Sequence, residues 1–162
     1  MAPTPQPRSA FILIDVQQGL THPTHWGPSR SNPSFEQNNE SLLTSYRKLL
    51  SSTASPRHKI IHVQHASTLP SSPLHPSSPG FSFQPFAKPL PSEFIITKTV
   101  NSGFIGTNLE EVLREHFAGE PGKLYLAGLT TDHCVNTTTR MAGNLKVADG
   151  TDGEAGEVIF VE

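Results

Sequence analysis

The sequence contains little that would cross-link the chain, hold it in a membrane or attract it to a polyanion. Its 162 residues include one cysteine, Cys134, which excludes an internal disulfide and any zinc site built from several cysteines. No apolar run approaches the roughly 20 residues that a transmembrane helix needs, and the apolar block at residues 11–14 is too short for a signal peptide. The 12 basic and 14 acidic residues leave a net charge of -2, which gives no electrostatic reason to expect nucleic acid or a membrane as a partner. We therefore expect a soluble, cytoplasmic protein.

Apolar residues make up only 35% of the chain, but they are concentrated in short blocks. Five blocks have the length and continuity of strands that are buried on both faces. Residues 1–9 are proline-rich and polar, so we expect a disordered tail followed by one domain over residues 10–162. The predicted strands are 11–14, 60–63, 94–97, 124–127 and 158–161.

Three helices are predicted between these strands. Residues 35–50 carry one apolar stripe. A second helix is expected to begin at Thr107, because Glu110 lies three residues further on and completes a capping box. Thr131 or Asp132 is the expected N-cap of the third.

Strands and helices alternate, which predicts a three-layer α/β fold with a parallel sheet and helices on both faces. No helix follows the last predicted strand, so the fold is expected to be truncated at its C-terminal end. Residues 66–92 are rich in serine and proline and predict a long loop. Such a loop is either a lid or rim over a site or a variable surface excursion.

Three reactive side chains follow predicted strands. Asp15 ends the first, Lys98 ends the third, and Cys134 lies in the turn after the fourth. The carboxyl ends of parallel strands meet at one edge of a sheet, where α/β proteins bind their ligands. Taken singly, each residue has an ordinary structural explanation, but their common placement makes this edge a candidate active site.

The three residues together suit nucleophilic catalysis. Cys134 is expected in the first turn of a helix, where backbone N–H groups favour a thiolate and can also bind an oxyanion. Asp15 is expected to have a raised pKa because it is buried, and to accept the thiol proton. Lys98 would balance the charge between them. His133 is adjacent to Cys134 but does not face it well, so we prefer Asp15 as the base.

Other residues give weaker signals. Phe104 and Trp26 are expected to line a substrate pocket. His62 and His65 are three apart on one strand and point to opposite faces, so they do not readily share a metal. No other carboxylate–histidine spacing favours a metal site, and we expect no metal and no cofactor.

The segments FILIDVQQGL, ITKTVNSGFIGTNLEEVL and LYLAGLTTDHCVNTTTRMAGNL resemble the isochorismatase-like cysteine hydrolase superfamily over most of residues 10–162. The resemblance implies a Rossmann-like fold, frequent oligomerisation and, in amidase members, an Asp–Lys–Cys triad that maps onto Asp15, Lys98 and Cys134. It also implies that backbone N–H groups of Thr130 and Cys134 form the oxyanion hole. A non-proline cis peptide before Thr130 is implied as well.

Departures from the family pattern narrow the expected activity. The metal-binding motif of nicotinamidases is absent after His65, which argues against that activity. The presence of Cys134 argues against isochorismate as substrate, because members that act on it lack the cysteine. Relatives also continue past the fifth strand with another strand and helix.

The sequence therefore predicts a hydrolase that cleaves an amide-type C–N bond of a small molecule through a thioester on Cys134, and the resemblance allows it to act as a homo-oligomer. An alternative is a catalytically inactive, truncated homologue with a structural or interaction role. A redox-sensing protein is a third possibility, although the chain has no second cysteine to resolve an oxidised Cys134.

Overall fold

A five-stranded, all-parallel sheet forms the centre of the molecule, with strand order β3-β2-β1-β4-β5. The computed structural model describes residues 6–28, 30–52 and 57–161. Helices cover both faces, so the predicted three-layer α/β architecture is confirmed. The strands are β1 (Arg8–Ile14), β2 (His58–His65), β3 (Phe94–Lys98), β4 (Gly122–Gly128) and β5 (Glu157–Phe160), and the helices are α1 (Phe35–Ser52), α2 (Leu109–Phe117) and α3 (Asn136–Asn144).

The central strand β1 explains why the first apolar block has no polar alternation. Phe11 and Leu13 pack into the cluster beneath α1, whereas Ile12 and Ile14 pack into the larger cluster beneath α2 and α3. All four are at most 2% exposed. Both faces of β1 are therefore covered, as expected for a parallel sheet between two helical layers.

The N-terminal boundary differs from the sequence prediction. Residues 1–5 of the predicted disordered tail lie outside the described residues. Arg8 and Ser9 already belong to β1, where the Ser9 N–H donates to the Arg57 carbonyl over 2.8 Å. The ordered domain thus begins before residue 10.

The start of α2 corrects the predicted capping box. The helix begins at Leu109, and the Thr107 hydroxyl accepts the Leu109 N–H instead of the N–H three residues on. Glu110 pairs with Arg114 one turn later rather than returning to the helix start. Thr107 also donates to the Gly103 carbonyl, so its hydroxyl ties the preceding loop to the helix.

The long loop between β2 and β3 is packed against the turn that follows β1. Its 3-10 turns are Pro79–Phe81 and Pro85–Ala87. A Cβ on Gly80 would lie 2.4 Å from the Pro73 carbonyl oxygen and 2.8 Å from the Gly19 Cα, so this close approach requires glycine. The loop is therefore a fixed rim at the carboxyl edge of the sheet.

A buried ionic network secures the far end of this rim. Both Glu93 carboxylate oxygens accept from the Arg47 guanidinium, at 2.7 and 2.8 Å, and Oε2 also lies 2.8 Å from Nε2 of His62. The side chains of Glu93 and His62 are 2% and 0% exposed. Burial opposes ionisation of Glu93, but its hydrogen bonds to Arg47, Leu90 and His62 outweigh burial and hold its pKa below the usual value.

None of the helices in the described part of the chain is both long enough and apolar enough to cross a membrane.

We expect Glu93→Gln to lower the free energy of unfolding by about 2–4 kcal/mol, because it leaves Arg47 without its charge partner and disturbs a buried network. Urea unfolding measures the loss. Glu110→Gln is the matched control, since its ion pair with Arg114 is exposed and should contribute at most about 0.5 kcal/mol. Equal losses in the two variants would contradict a stabilising role for the network.

Buried and half-buried histidines should make the fold sensitive to acid. Burial lowers the pKa of His58, His62 and His65, and lowers that of His116 to about 4. A histidine whose pKa is lower in the folded than in the unfolded state makes its full contribution to stability above the unfolded pKa of about 6.5. This contribution is lost as the pH falls below about 6.5. The raised pKa of Asp15 changes the free energy of unfolding with pH in the opposite direction. Asp15 is one group, however, whereas the histidines are four.

We therefore expect the urea midpoint to fall between about pH 7.5 and about pH 5.5, with each buried histidine contributing up to about 1.4 kcal/mol per pH unit. A midpoint that is constant or rises over this range would show that these rings are not held neutral by the fold.

Candidate active site

The structure brings Asp15, Lys98 and Cys134 together at the carboxyl edge of the sheet. The Lys98 ammonium lies 2.7 Å from Oδ2 of Asp15 and 3.3 Å from Sγ of Cys134. Asp15 directly follows β1, Lys98 is the last residue of β3, and Cys134 lies in the turn after β4. Residues that are 36 or more positions apart in the chain thus converge through the parallel strand order.

A strained turn directs the Asp15 carboxylate. Its backbone has a φ of 54°, a left-handed conformation that costs a non-glycine residue about 1–2 kcal/mol. The Asp15 N–H donates to the Val63 carbonyl over 2.8 Å, while its carbonyl accepts from the Gln17 N–H over 2.7 Å. The chain is therefore fixed on both sides of this residue.

The Asp15 carboxylate is almost fully enclosed. The residue is 2% exposed, and Oδ1 is buried, with the Cys134 thiol as the neighbouring donor to the carboxylate. Burial raises the pKa of Asp15, although the positive charge of Lys98 opposes the rise. One oxygen is thus committed to Lys98, and the other is available to accept a proton.

Cys134 lies in a wide helical turn rather than at the start of an α-helix. Thr131–Val135 form a π-helical turn, in which the Val135 N–H donates to the Thr130 carbonyl over 3.2 Å. The regular helix α3 begins only at Asn136, and no side chain caps the turn. The expected cap at Thr131 or Asp132 is therefore wrong.

The thiol is protonated at rest, contrary to the expected thiolate. Burial and, to a smaller extent, the negative charge of Asp15 together raise the pKa of Cys134 to about 12, and Lys98 only partly compensates. Sγ also approaches Oδ1 of Asn101 at 3.8 Å. The resting site is therefore a neutral thiol beside an Asp–Lys ion pair.

The segment before Cys134 has the geometry that the resemblance implies. The Leu129–Thr130 peptide bond is cis, and the Leu129 N–H donates to the Ile14 carbonyl over 2.9 Å. Gly128 has a φ of 140°, and a Cβ there would lie 2.1 Å from the Ile14 carbonyl oxygen. Glycine is thus required where the end of β4 meets β1, which sets the position of the Thr130 backbone.

The two predicted pocket residues lie in different surroundings. Phe104 is 8% exposed and packs into the core cluster beneath α2, which Cys134 also contacts, so its contact with substrate stays a prediction. The Trp26 indole N–H donates to the Gly19 carbonyl over 2.7 Å, and its ring stacks edge-on with His25. A cavity of about 770 Å³ between residues 18–22 and 70–85 has neither aromatic ring in its walls, but Asp15, Lys98 and Cys134 do not line it either, so it does not test the two predictions.

Two neighbouring side chains were not identified as part of the site from sequence. His65 places Nδ1 3.2 Å from the Lys98 ammonium. Gln17 is fully buried and hydrogen-bonds the backbone N–H and carbonyl of His65. Both residues end or follow a strand, the same placement that identified Asp15 and Lys98.

The histidines form no metal site in the described part of the chain, where no group of three or more His, Cys, Asp or Glu side chains converges. His62 faces Glu93 and His65 faces Lys98. The two rings therefore lie on different sides of β2, in agreement with their spacing.

Comparisons with known proteins identify the family of the chain. The family model of the Isochorismatase domain matches residues 9–148. The Uncharacterized isochorismatase family protein YrdC of Bacillus subtilis (strain 168) is 43% identical over 138 residues, which cover 85% of this chain and 67% of the relative. A crystal structure of an isochorismatase-family protein from Chromobacterium violaceum ATCC 12472 is 38% identical, with a TM-score of 0.73 over 88% of this chain and 70% of that one.

A more distant structure shares the fold alone. N-carbamoylsarcosine amidase from Thermoplasma acidophilum has a TM-score of 0.64 at 16% identity, covering 92% of this chain and 84% of that one. The domain match, the close relatives and the five-stranded parallel sheet all lead to one assignment. The chain belongs to the isochorismatase-like superfamily of hydrolases.

Proposed function

We propose that the protein hydrolyses an amide-type C–N bond of a small molecule, with Cys134 as nucleophile, Asp15 as proton carrier and Lys98 as the cation between them. The observation that carries the proposal is the position of the Lys98 ammonium, in contact with both the Asp15 carboxylate and the Cys134 sulfur. A nucleophile, a base and an orienting cation within hydrogen-bond reach constitute the arrangement that covalent catalysis requires.

In the first step Asp15 accepts the thiol proton on Oδ1 as the sulfur attacks the substrate carbonyl carbon. A C–S bond forms, and the π electrons of the carbonyl move to its oxygen. A pKa of about 12 for Cys134 makes deprotonation before attack rare, so proton transfer accompanies attack. The raised pKa of Asp15 makes this carboxylate a stronger base than an exposed aspartate.

The oxyanion then needs hydrogen-bond donors. We assign this role to the backbone N–H groups of Thr130 and Cys134, which lie on the turn that presents the sulfur. Such preorganised donors lower the barrier by stabilising charge that develops only in the transition state. Gly128 holds the turn against β1 and so fixes where the donors point.

The tetrahedral intermediate collapses as the C–N bond breaks. Protonated Asp15 gives its proton to the leaving nitrogen, which departs as the amine or ammonia, and a thioester remains on Cys134. A water molecule then attacks the thioester carbon while Asp15 takes one of its protons. The C–S bond breaks, the carboxylic acid leaves, and the proton returns to sulfur, so the enzyme is regenerated without any cofactor.

Two further considerations support amide chemistry. In the proposed reaction Asp15 accepts the thiol proton and then gives a proton to the leaving nitrogen. An amine needs this protonation to leave, whereas a leaving group that is stable as an anion does not. The fold is also that of N-carbamoylsarcosine amidase from Thermoplasma acidophilum. We propose the ordered chain from β1 onwards as one hydrolase domain that acts on a small substrate in the cytoplasm.

Cys134→Ala and Cys134→Ser should each abolish hydrolysis of whichever member of a panel of small amides, ureides and N-carbamoyl amino acids the wild-type protein cleaves. The measurement is release of ammonia or amine. His133→Ala is the control, because this adjacent side chain is exposed and should leave the rate unchanged. Residual hydrolysis by either cysteine variant, or no hydrolysis of any member by the wild type, would contradict the proposal.

Asp15→Asn should reduce kcat by about 10²–10⁴, the usual contribution of a general acid–base. Asparagine keeps the shape and can still accept from Lys98, but it cannot take up or return a proton. Steady-state kinetics on the best panel substrate measures the loss, and the urea midpoint shows whether the fold is intact. A folded variant with kcat within about threefold of wild type would exclude Asp15 as the proton carrier.

A further inference from the structure

The Lys98 ammonium has three N–H donors and three partners. Two partners are Oδ2 of Asp15 and Sγ of Cys134, at 2.7 and 3.3 Å. The third is Nδ1 of His65, at 3.2 Å, which the proposed reaction does not use. Lys98 is only 1% exposed, so water is a poor substitute for any of the three.

The partner chemistry fixes the state of the His65 ring. An ammonium group only donates, so Nδ1 must accept, and the single ring proton must lie on Nε2. The ring also hydrogen-bonds to the backbone of Val100, in the segment that leads from β3 to Asn101. Burial lowers the pKa of His65, and the charge of Lys98 lowers it further, so the ring remains the neutral acceptor that this geometry requires.

The backbone holds His65 in register with the site. His65 pairs with Lys98 across the β2–β3 ladder. The Gln17 side chain accepts the His65 N–H over 2.8 Å and donates to its carbonyl over 3.2 Å, and Gln17 lies two residues after Asp15. The imidazole is thus fixed relative to both members of the ion pair.

We propose that His65 is a positioning residue of the active site: as a neutral acceptor it orients the Lys98 ammonium so that its other two N–H groups point at the Asp15 carboxylate and the Cys134 sulfur. The inference rests on the proposed function in one respect, namely that Cys134 is the nucleophile. His65 itself touches neither the sulfur nor, in this account, the substrate.

Alkylation of Cys134 by iodoacetamide tests the proposal without a substrate, because the chain has no other cysteine. His65→Ala should slow alkylation at neutral pH about tenfold, the equivalent of one charge-assisted hydrogen bond. His65→Gln, whose amide oxygen can accept from Lys98, should recover the rate to within about threefold of wild type. Lys98→Met sets the lower limit. His75→Ala is the control, since its ring hydrogen-bonds to Ser77, which lies in the same loop.

His65→Leu keeps the test decisive if the alanine variant does not fold, because leucine fills the space without an acceptor. Slow alkylation in the alanine or leucine variant, with recovery in the glutamine variant, supports the positioning role. A wild-type rate in the variants that lack an acceptor, or no recovery with glutamine, would overturn it. Failure of the proposed function would appear differently, as an absence of amide hydrolysis by a wild-type protein whose alkylation still follows this pattern.

Discussion

The ion pair between Lys98 and Asp15 is the interaction on which the site depends. Both residues are at most 2% exposed, and the two charged atoms lie 2.7 Å apart. Removal of either partner would leave a buried charge uncompensated, which typically costs about 3–5 kcal/mol. The pair joins the ends of β3 and β1, which are separated by β2, so the long lysine side chain must pass the end of β2 to reach the carboxylate. This passage explains why His65, at the end of β2, contacts the ammonium.

The same pair determines how the thiol reacts. Burial raises the pKa of Cys134 most, and the negative charge of Asp15 raises it too, because a single cation that is shared with a closer carboxylate only partly offsets a second negative charge on sulfur. The resting site is therefore electrically balanced, and the thiol becomes nucleophilic only as its proton moves to Asp15. This arrangement would protect the chain's one cysteine from unproductive reactions, because thiols react far more slowly than thiolates.

The sequence was most informative where short-range rules apply. Continuous apolar blocks predicted the parallel strands, and the strand-end rule selected Asp15, Lys98 and Cys134, which the structure brings together. It was least informative where a property depends on residues distant in the chain. The thiol was expected to be ionised because its local position suggested a helix start, but burial and Asp15 decide its pKa. Phe104 was expected at the pocket because it lies in the glycine-rich segment 101–106, but no local pattern indicates that its ring packs into the core cluster with 8% exposure.

His65 illustrates the same limit. Its spacing from His62 argued against a shared metal ion. No sequence pattern, however, indicates that the imidazole at the end of β2 will accept a hydrogen bond from a lysine at the end of β3 whose carboxylate partner follows β1. Thr107 is a smaller case, since the capping-box spacing is present and yet its hydroxyl bonds to Leu109. For both residues the sequence shows which groups can donate or accept a hydrogen bond, whereas the tertiary structure determines the partner.

The most direct test of the central claim is an ultraviolet titration of the Cys134 thiolate in the wild-type protein and in Asp15→Asn, each corrected by the corresponding Cys134→Ser protein. If the carboxylate, the ammonium and the thiol share one enclosed site, the wild-type thiol stays protonated through neutral pH. The asparagine variant then forms thiolate at a distinctly lower pH, because Lys98 is no longer opposed by a negative charge. A wild-type thiolate already present at neutral pH, or a titration that Asp15→Asn leaves unchanged, would contradict the account.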